Sequence, residues 1–331
     1  MRAAIALPWQ RAGLSLQYWR WFCLPPLAAL LIWLILGLGG GQWAVPDWQD
    51  PLVSRLRWPR ILNALLVGSA LSLAGAGLQA LFRNPLADPG LLGTSAGSAL
   101  GVVLVIALGG LGVSVPLAAF VGGLAVTMLI LLLNQLLRGG QAGLLMIGVV
   151  IGACCAAMVS LLLFLSDDLT LRGASNWLAG SLAESRFADH QYVWPVMLAG
   201  AVLMLALGRD LDCLLLGDEV ARSMGIRVGR TRVLAAMAAA MLTGGAVTLS
   251  GLIGFVGMMV PNAIALCHPG SRRQLMLHAS WVGALTLLLI DTLGREVVYP
   301  VDLPAGVVAA FAGPPCFLWL FWRLQKGGLR G

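Results

Sequence analysis

The sequence predicts an all-α polytopic membrane protein of about ten transmembrane helices, and three observations carry that reading. Hydrophobic residues make up 59% of the 331 positions and charged ones only 11%, where soluble domains carry about 25% charge. The apolar residues gather into runs of about 20, the length that spans a bilayer as a helix. The polar intervals between the runs are too brief to fold alone, so residues 1–331 read as a single transmembrane domain. A lipid bilayer is therefore the expected surrounding, and no nucleic-acid partner is expected.

Arg2, Arg11 and Arg20 precede the first run, about 21–40. No small-x-small cleavage site followed by a soluble mature sequence stands after it, so it reads as a retained helix and not a removed signal. Further spans are predicted at about 61–82, 93–110, 113–135, 143–166, 191–208, 231–250, 252–268, 276–293 and 305–323. The non-apolar intervals are 41–60, 167–190, 209–230 and 294–304. Between the second and third spans, Asn84–Gly93 reads NPLADPGLLG. Proline removes a backbone donor and pushes its predecessor out of helical geometry, so this connection is shaped and non-helical. Lipid tolerates such backbone only at the surface or along a cavity, which points to a pathway through a membrane.

Small residues recur at helical spacing. Gly93, Gly97 and Gly101 form GxxxGxxxG, Gly148 and Gly152 form GxxxG, and Gly68, Ser72 and Gly75 make a third stripe. Such faces let helices approach closely, and packing within the chain is the expected use. The six cysteines include an adjacent pair, Cys154–Cys155, whose disulfide would be strained. With no CxxC and three isolated histidines (His190, His268, His278), no metal site is expected.

Charge placement gives a sidedness. With ten spans and both termini in the cytoplasm, fifteen of the 21 Lys and Arg fall on the cytoplasmic side, as the positive-inside rule requires. Arg55, Arg57, Arg60, Arg172, Arg186 and Arg295 are left outside. Arg57 and Arg60, in RLRWPRIL at the outer end of the second span, would meet lipid phosphate, an acidic substrate or the carboxylates of an external protein; Arg295 could join them. Asp291, in LTLLLIDTLGRE, is an intramembrane carboxylate and so a candidate proton relay. Its place one turn before Arg295 favours a simple ion pair with that residue.

Leu216–Arg232, LGDEVARSMGIRVGRTR, is expected to contain a short amphipathic helix. Val220, Met224 and Val228 would form its apolar stripe and Gly225 and Gly229 would break it. Asp218 and Glu219 early and Arg222 late suit the helix dipole. The segment is either a membrane-surface element or a knob for a partner's groove, and its mixed charge favours the partner. The chain has no GxxxxGK[ST], and its single lysine, Lys326, excludes a P-loop. No HExxH and no Ser/His/Asp grouping is present, so the chain is not expected to be an enzyme.

Several separated segments together resemble ABC-importer permeases for iron chelates and vitamin B12, the FecCD family of type II importers. They are RLRWPRILNALLVGSALSLAGAGLQALFRNPLADPGLLGTSAGSALG, LGDEVARSMGIRVGRTR, SGLIGFVGMMVP and LPAGVVAAFAGPPCFLWL. The resemblance implies the fold of a vitamin B12 importer permease, working as a homodimer in the bacterial inner membrane. Two copies of a separate ABC ATPase would supply ATP and magnesium chemistry, this chain itself holding no cofactor. By the same resemblance, the coupling segment is about 209–230, with Gly217, Asp218, Glu219, Ala221, Arg222 and Met224 meeting the ATPase. Arg57, Arg60 and Arg295 would dock a periplasmic substrate-binding protein. Asn84, Pro85 and Leu86 would form one cytoplasmic gate, and the region of Gln141 and Ala142 a second, though its residue types match less well. After FVGMMVP the family continues with His and soon Arg, whereas here Asn262, Ala263 and Ile264 follow.

The implied function is alternating-access import of a metal chelate. A ferric siderophore is the first choice, since LRGASNWLAGSLAES is closer to siderophore members; haem comes next and cobalamin is the alternative. Arg172, Glu184 and Arg186 are candidate vestibule contacts. Two other classes compete: a proton-coupled secondary transporter using Asp291, and a structural membrane subunit without transport.

Overall fold

A computed structural model describes residues 25–109, 112–183, 187–267 and 270–328. Helix α1 is Pro25–Gly37, followed by a two-stranded hairpin, β1 Leu38–Gly39 against β2 Gln42–Trp43. A π-helical turn, Leu52–Arg57, leads directly into α2, Trp58–Leu81. A 3-10 turn, Pro89–Leu92, precedes α3, Thr94–Ala107. Then come α4 Val115–Leu136, α5 Gly140–Phe164, α6 Asp168–Leu178 and α7 Phe187–Ala206. The chain continues with α8 Gly208–Leu215, α9 Asp218–Ser223, α10 Val228–Ser250, α11 Val256–Cys267, α12 Arg272–Glu296 and α13 Ala305–Gly328.

Among the described residues five helices are long and apolar enough to cross a membrane, α2 with its preceding turn, α4, α5, α10 and α12. Five shorter apolar helices (α1, α3, and parts of α7, α11 and α13) fall on the other predicted spans, so the ten-span pattern is recovered among the described residues. At about 1.5 Å per residue, α3 rises about 21 Å, less than the roughly 30 Å of a hydrocarbon core. The Asn84–Gly93 segment leads into it as irregular backbone and the single 3-10 turn, with Pro89 and Leu92 buried in protein, a setting in which such backbone is tolerated. Helix α11 starts at Val256, later than the predicted 252, because Gly251 (φ 66°, ψ −156°) ends α10 and Phe255 also has a positive φ.

Helix α2 is the axis of the bundle. A Cβ at Gly68 would strike the carbonyl of Gly283 on α12, and one at Gly75 the carbonyl of Gly257 on α11. Ser72 lies against Gly283, and Ser69 shares a 3.0 Å hydrogen bond with Ser280. Helices α3 and α4 meet the same way, Gly97 and Gly101 against Gly122 and Ala118, while Gly148 of α5 touches the Leu91 carbonyl. Gly152 has no neighbour within 4 Å, so the predicted Gly148/Gly152 face is used within this chain only at Gly148. Helix α5 leaves a broad apolar face open, including Met146, Val149, Val150 and Leu161.

At the other extreme of size, polar bonds seat the short helices. Both carboxylate oxygens of Asp212 accept from the Arg272 backbone N–H at 2.9 and 3.1 Å, and Thr231 donates to Asp210 at 3.0 Å. These fix α8 against α12 and α10.

Close approach at α2 makes a stability prediction. Gly75→Ala should lower the thermal midpoint in detergent by a few degrees. Overpacking costs about 1–3 kcal/mol, against about 1 kcal/mol of helix propensity gained. Gly229→Ala, with nothing within 4 Å of the new methyl, should leave the midpoint unchanged or raise it.

Candidate functional site at the two ends of the second helix

The residues singled out from sequence gather at opposite ends of α2, about 36 Å apart by helix rise. At the N-terminal end, Arg60 grips Asp291 bidentately, Nε to Oδ2 at 2.8 Å and Nη2 to Oδ1 at 2.9 Å. The same guanidinium donates to Asp302, Nη1 to Oδ2 at 2.6 Å and Nη2 to Oδ1 at 2.8 Å. The Arg60 side chain is 11% exposed, Asp291 4% and Asp302 38%. This corrects the expected Asp291–Arg295 pair. Arg295 turns instead to Glu296, at 3.0 Å, and to the Leu38 carbonyl, at 3.1 Å. Asp291 is an ion-paired residue, as expected, but its partner stands 231 positions away on α2.

The remaining groups tie the β1–β2 hairpin into this cluster. Glu296 accepts from the Gly41 N–H at 3.1 Å, and Arg57 donates to the Leu36 carbonyl at 3.1 Å. Arg57, Arg60 and Arg295 thus converge, each with an internal partner, while Arg55 is exposed nearby in sequence. The hydrogen bond from Arg60 holds the Asp302 carboxyl below its ordinary value of 3.8, against the opposing effect of burial.

At the C-terminal end of α2, Arg83 adopts φ 47° and swings its guanidinium between two other elements. Nε and Nη2 donate to Gln141 Oε1 on α5 at 3.2 and 2.7 Å, and Nη2 lies 3.3 Å from Asp218 Oδ1 on α9. The other oxygen of Asp218 accepts from Arg232 Nη2 at 2.6 Å. Asn84 Oδ1 accepts from the Leu86 N–H at 2.9 Å, and Asp88 Oδ1 from the Gly90 N–H at 2.8 Å, which shapes the loop locally. Asn262 of α11 donates to the Pro85 carbonyl at 2.7 Å and to the Met258 carbonyl at 2.9 Å. Leu86 and Ala142 are exposed.

The segment 209–230 holds α9, the expected short helix, between the end of α8 and the start of α10. Gly217, at φ 110°, turns the chain between α8 and α9, a conformation that glycine alone takes easily. Gly225 ends α9 region at φ 84°, but Gly229 lies inside the first turn of α10. The predicted stripe of Val220, Met224 and Val228 is corrected accordingly. Val228 is buried on α10, whereas Val220 and Met224 are exposed on a knob with Glu219, Arg222 and Leu216, and Ala221 is the buried contact of α9.

Arg172 is exposed on α6, and Glu184 and Arg186 lie outside the described residues. Among the described residues no group of three His, Cys, Asp or Glu side chains could hold a metal. A cavity of about 20 Å³ between α4 and α10, lined in part by Thr127, Met128 and Met241, is too small for a chelate. Sequence reading missed Arg83, Asn262, Glu296 and Asp302 as members of the two clusters. Arg83 carried a local signal, a charge directly before the proline-rich break, and Asn262 stood out as a departure from the family pattern.

Removing the guanidinium would leave buried Asp291 unpaired, so Arg60→Ala should destabilise the protein by roughly 3–5 kcal/mol, read by thermal unfolding in detergent. Asp302 has a depressed folded pKa, so its contribution is present above pH 3.8 and lost as pH falls through the folded value. The thermal midpoint should therefore drop on acidification below about pH 4, and drop less in Asp302→Asn.

Comparison with known proteins places this geometry. The model of the FecCD transport family matches residues 17–323. The hemin transport system permease protein HmuU of Yersinia pestis is 40% identical over 82% of this chain and 83% of its own length. The vitamin B12 import system permease protein BtuC of Salmonella paratyphi A is 36% identical over 93% of this chain and 96% of its own. A solved ABC transporter of the metal-chelate type, in an inward-facing conformation, superposes with a TM-score of 0.83 at 30% identity, covering 91% of this chain and 98% of that one. With a family match over nearly its whole length and a multi-pass helical fold that superposes on a transporter, the chain belongs to the FecCD transport family.

Proposed function

We propose that this chain is the permease subunit of an ATP-driven importer that passes a bulky metal chelate from periplasm to cytoplasm by alternating access. The observation that carries the reading is α9, an exposed knob of mixed charge and apolar side chains, fastened to the bundle by Ala221 and Asp218. A helix so presented suits the groove of a partner. In this reading the partner is an ABC ATPase that supplies ATP and magnesium chemistry to a chain with no P-loop. Gly217, Asp218, Glu219, Ala221, Arg222 and Met224 form the coupling contact, and Asn84, Pro85 and Leu86 with Gln141 and Ala142 form the cytoplasmic gate.

A homodimer in the inner membrane, with two ATPase copies and both termini cytoplasmic, completes the assembly. The open apolar face of α5 supports the dimer, since Gly152 there has room for a second backbone. Arg57 and Arg295, both of intermediate exposure, meet acidic residues of a substrate-binding protein in this reading. Arg60 sits beneath them and holds Asp291 and Asp302 in place. The cargo is a ferric siderophore or haem. The LRGASNWLAGSLAES segment supports the first, and the 40% identical hemin permease supports the second; cobalamin is the alternative, supported by the vitamin B12 relative.

The test is purification of the tagged chain from its native membrane, which should bring with it a soluble Walker-motif ATPase. Vesicles holding the complex should take up one of ferric siderophore, haem or cobalamin only with ATP inside and a binding protein outside. Arg57→Glu with Arg295→Glu should weaken binding-protein affinity at least tenfold; unchanged affinity would remove the docking assignment. Asp291→Asn separates the proton-coupled class. Here ATP-driven uptake should persist in whatever protein folds and should ignore a protonophore, whereas a proton site at Asp291 requires uptake to vanish.

A further inference from the structure

Arg83, directly before the NPLADPG segment, sends its side chain to two other elements. Its guanidinium is shared between Gln141, at the start of α5, and Asp218, the first residue of α9. Asp218 is in turn shared with Arg232 of α10, so a line of charge-assisted bonds runs Gln141–Arg83–Asp218–Arg232. The left-handed backbone at Arg83 is unusual for a residue with a side chain, and it is the turn that aims the guanidinium at α9. Gly217 lies beside it: a Cβ there would sit 3.7 Å from Arg83 Nη1, in ordinary contact, so the φ of 110° and not lack of space is what calls for glycine.

The next residue along the chain is Asn84, whose side chain shapes the loop. A displacement of α9 therefore acts at once on two separate elements, the loop after α2 through the backbone of Arg83 and the start of α5 through Gln141. Asp218 and Arg83 are 26% and 38% exposed. Exposed ion pairs are weak and exchange readily with water, which suits a contact that must break and re-form in every cycle.

We propose that Arg83 is the positioning residue through which movement of α9 reaches both gate segments; the proposal rests on the permease reading above. The residue does not touch cargo or nucleotide. Its loss should separate ATP hydrolysis from gate movement, an effect distinct from loss of assembly or of folding.

The test uses the full complex purified with its ATPase, in a chain with Cys154→Ser and Cys316→Ser, the free exposed cysteines among the described residues, with Cys23→Ser and Cys267→Ser as well, and a reporter Leu86→Cys. Reaction of that cysteine with a water-soluble maleimide is timed with and without ATP and vanadate, beside ATP hydrolysis and uptake. With Arg83 present, nucleotide should change the labelling rate at least fivefold. With Arg83→Met the ATPase should still co-purify and hydrolyse ATP, while the labelling change falls below twofold and uptake drops at least tenfold. Arg83→Lys should recover part of both. If Arg83→Met responds to nucleotide as the parent does, or if it loses the ATPase altogether, the assignment is overturned while the permease reading stands. A parent chain that recruits no ATPase overturns both.

Discussion

Everything in this fold depends on how closely two helices can approach α2. In lipid there is no hydrophobic drive between helices, so association rests on van der Waals contact and interhelical polar bonds. Gly68, Ser72 and Gly75 bring the backbones of α12 and α11 onto α2, and the Ser69–Ser280 bond fixes register with α12. Once those axes are set, the ends follow. Asp291 on α12 falls opposite Arg60, and Asn262 on α11 falls within reach of the Pro85 carbonyl. The glycine stripe is thus the cause of polar contacts at either end of the helix that carries it.

The two ends differ in physical kind. Arg60 is nearly enclosed, with four donor–acceptor contacts to two carboxylates. A buried guanidinium survives desolvation only with such complete pairing, and removing one member leaves an uncompensated charge. That end is built to hold one arrangement, and it clamps the hairpin and the chain around Asp302 at the same time. The Arg83 end is half-exposed, with one amide and one shared carboxylate as partners, so water can replace each bond at little cost. A rigid platform at one end and an exchangeable contact at the other is the distribution that a transporter with a fixed docking face and a moving gate would need.

Much of this was legible in the sequence, for identifiable reasons. Spans emerge from hydropathy because lipid forces backbone groups into helices, and the GxxxG faces mark where helices touch. The proline-rich break between Asn84 and Gly93 announces itself by chemistry alone. The partner of Asp291 was not legible, because spacing along one helix shows only local pairs and Arg60 arrives through the α2–α12 contact. The division of 209–230 into α8 and α9 turned on the backbone at Gly217, where two plausible helical stretches abut without a proline. Gly229 misled for the converse reason: a glycine near the start of a helix is easily absorbed when Val228 is buried beside it.

Asn262 shows how a departure from a family pattern becomes a physical statement. Non-helical backbone at membrane depth must find partners for its polar groups. The loop supplies several of its own, through Asn84 and Asp88, but the Pro85 carbonyl needs a donor from outside, and the Asn262 amide provides it. Histidine at the same place could also donate, but its ordinary pKa of about 6.5 makes its charge depend on pH near neutrality. An amide has no such titration. The bond by which α11 holds the Pro85 carbonyl is therefore made by a group that does not titrate, and its strength does not depend on pH near neutrality.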